Sequence, residues 1–149
     1  MVAMTGTAGD TPALSNIAYD ELVVGERMGP YTESVSSDMA ARLAGPIGEP
    51  QDVDAVPPAA YPILFLKALR RSMGGIPAGS VLAKQELEFH GVLAPGSDVS
   101  IVTWVGDKQV RRERPFVTIE FDIRDADDRQ IVTGRKIIVW PTGPSEESA

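Results

Sequence analysis

Leu87-Glu88-Phe89-His90-Gly91-Val92-Leu93-Ala94-Pro95-Gly96-Ser97-Asp98-Val99 is the stretch on which the fold turns. An alternating run closes at Phe89, a Pro95-Gly96 turn follows, and a second alternating run starts at once. Working outward, Val81 to Phe89 predicts one strand and Val99 to Val105 the next. Phe116 to Arg124 alternates cleanly, with Val117, Ile119, Phe121 and Ile123 on one face and Thr118, Glu120, Asp122 and Arg124 on the other. Asp125 to Asp128 is a turn, and Ile131 to Trp140 is a last strand, broadly apolar on both faces. Such alternation fits an antiparallel sheet with one wet face.

Upstream of the strands the period changes from two to about 3.6. Ser36-Ser37-Asp38 caps a short helix that Gly45-Pro46 stops. Residues 45–60 hold several prolines and read as an irregular loop. Ala59 to Met73 spaces Tyr61, Leu64, Phe65 and Ala68 helically, while Ile63, Leu66 and Leu69 widen the apolar surface. Pro62 suits its first turn and Gly74-Gly75 its end. Being apolar nearly all round until Lys67 and Arg70, this helix is expected to be deeply buried. One buried helix followed by long strands makes an α+β domain, the sheet wrapped around the helix.

Composition sets the bounds. A chain of 149 residues suits one domain, and its 43% hydrophobic content supports one core. The expected division is an arm over residues 1–16, a domain over 17–141 and a polar tail over 142–149. With no cysteine there is neither a disulfide nor a thiolate nucleophile or metal ligand. A single histidine, His90, rules out a multi-histidine metal site within one subunit, and no metal or other cofactor is expected. The net charge of −7 argues against nucleic acid and against an anionic membrane surface. No apolar run approaches the roughly 20 residues that span a bilayer. Met1 to Asn16 has no basic start and no apolar centre, so a cytoplasmic protein is expected.

Residues from about 17 to 140 resemble the MaoC-like dehydratase/hydratase family of hot-dog proteins. Tyr19-Asp20-Glu21-Leu22-Val23-Val24-Gly25-Glu26 is similar to its opening element, and Val35 to Ala40 to its first short helix. Val56-Pro57-Pro58-Ala59-Ala60-Tyr61-Pro62 resembles the lead-in to the central helix, especially in non-catalytic halves of dehydratases. Phe89-His90 through Pro95-Gly96-Ser97-Asp98 resembles the strand–turn–strand signature. The resemblance implies one hot-dog domain that handles coenzyme A or carrier-protein thioesters. It also implies a homodimer, or a heterodimer with a related subunit.

The family's catalytic segment, Asp-x-Asn-Pro-x-His after a glycine, is altered here. Counted from Gly48, Glu49 falls at the Asp position, Gln51 at the Asn and Asp54 at the His. Hydration of an enoyl thioester needs one group to take a proton and another to deliver one, and imidazole does this near neutrality. Two carboxylates divide that work only if one has a strongly raised pKa. Glu49, Asp54 and His90 are therefore the catalytic candidates, set against solvated loop acids and a structural histidine. Tyr61 and Gln85 are candidates to line an acyl tunnel, with core packing the other reading for Tyr61. Lys108, Arg111, Arg112 and Arg114 cluster in an acidic chain, and Arg70-Arg71 end the helix. Arg111 and Arg112 are candidate contacts to carrier phosphates, since arginine binds phosphate bidentately; a solvated hairpin tip is the other reading.

Three functions stay open. The chain is a dehydratase/hydratase-type lyase with a non-standard carboxylate pair, or the non-catalytic half of one. Alternatively it is a hot-dog protein recruited to cyclisation or isomerisation of a polyketide-like intermediate. A hot-dog thioesterase is the remaining reading, against which Ala59 to Met73 holds no Asp or Glu.

Overall fold

The computed structural model describes residues 17–45 and 53–142. A short 3-10 turn at Tyr19–Glu21 precedes β1 (Arg27–Ser34), α1 (Ser37–Ala44) and α2 (Ala60–Met73). Then follow β2 (Val81–Phe89), β3 (Asp98–Arg111), β4 (Arg114–Arg124) and β5 (Gln130–Val139). The strands form one antiparallel sheet in the order β1-β3-β4-β5-β2. This is the expected α+β domain, and its helix α2 crosses the sheet from edge to edge. Tyr61 near its start packs edge-on to Phe89 of β2, with ring centroids 5.7 Å apart. Arg71 near its end donates to Thr32 O of β1 at 2.8 Å and lies over the Tyr31 ring.

Local chemistry explains the elements. Ser36 accepts a bond from the Met39 N–H at 3.0 Å, capping α1. Gly74 takes the left-handed conformation at φ 78°, so Gly74 and Gly75 return their N–H groups to Arg70 O and Leu69 O. Pro95 and Gly96 form the expected turn, with Gly96 at φ 88° and the Ser97 N–H on Ala94 O. Along β4 the inner residues Val117, Ile119, Phe121 and Ile123 are buried, and the outer ones half-buried. The core joins these to Leu64, Phe65, Ala68 and Leu69 of α2. Phe65 and Phe121 meet at 4.2 Å between centroids, and burying each ring contributes about 2–3 kcal/mol.

Two expectations need correction. β1 was not foreseen, because Gly29-Pro30 interrupts its alternation. The register slips between Met28 and Tyr31, and a proline fits there because β1 is an edge strand paired only with β3. The helix α2 is also not buried all round: Ile63 and Leu66 stay exposed, Leu66 at 46%. The sheet and α1 cover part of the helix, and no described residue covers Ile63 and Leu66.

Candidate functional site

The chemistry-bearing side chains converge where α2 meets the β2 edge. β2 pairs with β5 alone and is exposed for almost its whole length. In its register Phe89 stands opposite Val132, Leu87 opposite Gly134 and Gln85 opposite Lys136. Leu87 packs on the core and Phe89 on Tyr61, so Gln85, Leu87 and Phe89 share the face turned toward α2. Tyr61 is buried, and burial raises its hydroxyl pKa above the ordinary tyrosine value. Tyr61 and Gln85 therefore flank the same seam.

Lys136 belongs to this wall and the sequence reading passed over it. Its side chain is turned in toward α2, only 6% exposed, with Nζ 5.5 Å from the centre of the Phe65 ring. It forms no hydrogen bond or ion pair with any described residue, and burial lowers its pKa below the usual lysine value. Counting in twos back from buried Trp140 and Ile138 reaches Lys136, so a strict inner-face register would have found it.

No hydrogen bond or ion pair joins the catalytic candidates Asp54 and His90. Glu49 lies outside the described residues. Asp54 is exposed, in the loop whose Val56 N–H donates to Leu93 O at 2.8 Å. His90 is exposed too, and its Nε2 lies 2.9 Å from Thr133 Oγ1. Thr133 alternates with inward Val132 and Gly134, so His90 is held on the side of the sheet away from α2.

The basic cluster sorts itself by partner. Lys108 is taken up structurally, donating to Leu22 O at 2.9 Å and lying over Tyr19. Arg71 is likewise tied to β1, with Glu33 at 3.1 Å. Arg111, Arg112 and Arg114, by contrast, form no ion pair with a described residue. Together with Phe116 they line an open concavity of about 510 Å³ at the β3–β4 hairpin, where Arg111 stacks 5.0 Å over the Phe116 ring. Arg112 and Glu113 turn the hairpin with positive φ, so the tip projects charge where Asn-Gly is the usual choice.

A larger concavity, about 780 Å³, lies on the outer face of the sheet. Its carboxylates and guanidiniums largely satisfy one another, as in Arg124–Asp122 at 2.9 Å and Arg135–Glu86 at 3.1 Å. Among the described residues no cluster of His, Asp or Glu could hold a metal ion. No described helix is long and apolar enough to cross a membrane.

The architecture is that of the hot-dog fold. A MaoC-like dehydratase from Rhodospirillum rubrum superposes with a TM-score of 0.66 at 19% identity, covering 81% of this chain and 94% of that one. An (R)-hydratase from A. caviae involved in PHA biosynthesis gives a TM-score of 0.60 at 20% identity, over 80% of this chain and 98% of that one. A chain of the HadBC (3R-hydroxyacyl-ACP dehydratase) complex from Mycobacterium tuberculosis gives 0.60 at 13% identity, over 77% and 95%. No protein-family model matches the sequence, and no curated protein matches it significantly.

Proposed function

We propose that this chain binds an acyl thioester in the seam between α2 and the β2 edge, as a subunit of a dehydratase/hydratase-type system. A partner subunit supplies the Asp/His pair. The observation that carries this reading is the position of His90. It is the chain's single imidazole, and it is bonded to Thr133 on the side of the sheet remote from the seam. It follows Phe89, the last residue of the edge strand β2, and its ring is turned to Thr133 rather than to the seam.

The apolar surface around the seam supports a partner. Ile63 and Leu66 of α2 and Val81, Leu82 and Phe89 of β2 are all exposed, with Phe89 at 49%. An uncovered apolar edge strand invites a second chain, as edge strands generally do. Either a second copy or a related subunit serves. Similarity to one chain of a dehydratase complex agrees with the second. Arg111, Arg112 and Arg114 fit the carrier's phosphates, since no described carboxylate already neutralises them.

A second reading, cyclisation or isomerisation of a polyketide-like acyl group, draws support from Lys136, a polar group that a plain hydrocarbon tail does not need. The thioesterase reading loses ground, as α2 offers the seam no acid.

The test is hydration of crotonyl-coenzyme A by the purified chain, alone and mixed with a histidine-bearing MaoC-like subunit. Silence alone and turnover in the mixture support the accessory role. Turnover by the chain alone, abolished by Asp54→Asn, overturns it in favour of a self-sufficient carboxylate enzyme.

A further inference from the structure

We infer that Lys136 is a binding residue for an oxygen on the acyl group, and that the preferred ligand is a 3-oxoacyl thioester rather than a plain acyl thioester. The inference rests on the acyl-thioester reading above and names the substrate class of that seam.

An ammonium in the protein interior normally meets a carboxylate, because desolvating it alone is costly. Among the described residues the faces around Lys136 offer none. Phe65 of α2 lies beneath it, Ile119 of β4 stands opposite it on one side and Gln85 of β2 on the other. Glu86 and Glu88 of β2 alternate onto the outer face, and Glu86 is already paired with Arg135 and Lys84. Gln85 and the Tyr61 hydroxyl also form no hydrogen bond with a described residue. A largely buried cation, the Tyr61 hydroxyl and the exposed Gln85 thus face one seam without a hydrogen bond to a described residue. That set recognises electron-rich oxygen. A lone thioester carbonyl is a weak acceptor for a desolvated ammonium, whereas the 1,3-dicarbonyl of a 3-oxoacyl thioester presents two oxygens and a readily formed enolate.

The experiment is calorimetric titration of the intact protein with acetoacetyl-, butyryl- and 3-hydroxybutyryl-coenzyme A, ligands that differ only at C3. Acetoacetyl-coenzyme A is expected to bind about ten-fold more tightly than butyryl-coenzyme A, the worth of one hydrogen bond to a charged group. Lys136→Met is expected to remove that preference by weakening acetoacetyl binding alone, with circular dichroism confirming the fold. Equal binding of the first two to the native protein overturns the inference, and so does a preference for the 3-hydroxy ligand or one that survives in Lys136→Met. A counter-ion supplied to Lys136 by a second subunit gives the first of these outcomes. If none of the three binds, the acyl-thioester reading itself fails and the inference with it.

Discussion

Gly134→Ala tests whether the β2 wall is held by close packing through β5. A Cβ at Gly134 would stand 2.6 Å from Glu86 O and 2.8 Å from both Cε2 and Cζ of Phe121. Reaching ordinary contact at 3.4 Å requires movements of about 0.8 and 0.6 Å. Neither neighbour yields easily. Glu86 O belongs to the β2–β5 ladder, and the Phe121 ring is buried against Phe65 at 4.2 Å. Overpacking of this kind costs about 1–3 kcal/mol, and two opposed clashes belong near the top of that range. Replacing glycine in a strand returns about 0.5 kcal/mol, leaving a net loss of about 2 kcal/mol. For a domain of this size that is a fall in Tm of about 4–8 °C by scanning calorimetry. Hydrogen exchange should accelerate at Gln85 to Phe89, and thioester binding should weaken with it. Adding Phe121→Leu should recover part of the Tm by opening room on one side. A Tm within about 1 °C of the native value would refute the packing argument.

Further outcomes follow from the same geometry. Lys136→Met should raise stability at neutral pH by on the order of 1 kcal/mol, since a largely buried charge is exchanged for an apolar chain of similar length. Because the folded pKa of Lys136 is lowered, the native chain releases that proton before the unfolded chain does. Native stability therefore climbs through the alkaline range toward the ordinary lysine value, and denaturation measured against pH should show the gap closing there. Thr103 is fully buried and its Oγ1 has no hydrogen-bond partner among the described residues, so Thr103→Val should stabilise by about 1 kcal/mol in urea unfolding. Changing Arg111, Arg112 and Arg114 together to Ser should weaken coenzyme A binding about ten-fold and flatten its salt dependence, with Tm unmoved; unchanged titrations in low and high salt would rule the hairpin out.

The strands that bury one face declared themselves through alternation, and β2 and β4 lie almost where the pattern put them. The pattern failed where its assumptions did. β1 carries a bulge at Gly29-Pro30, which shifts its inner face by one residue and breaks the period. β3 runs on to Arg111, past the polar Gly106-Asp107 that made Val105 look terminal, because another bulge lets the pairing resume. For α2, hydrophobicity alone cannot separate burial in a core from burial by a partner, so Ile63 and Leu66 read as interior. Tyr61 lies at the start of α2 against Phe89, and Gln85 lies on the same β2 face. Lys136 was hidden by treating its strand as apolar on both faces, which concealed the charged residue in the inward register.

What the seam can do follows from which groups face it. Proton abstraction near neutrality requires a base, and the chain's imidazole is fastened to Thr133 on the opposite side of the sheet. Tyr61, its pKa raised by burial, stays protonated and offers a hydrogen rather than taking one. Gln85 does not titrate, and Lys136 as an ammonium is likewise a donor. Donors of this kind are able to hold an oxygen and to stabilise charge that builds on it, as enolate chemistry needs. On the proposed reading, the group that takes the proton comes from the partner subunit. On that reading, the exposed β2 edge is where the chain that carries the base is laid.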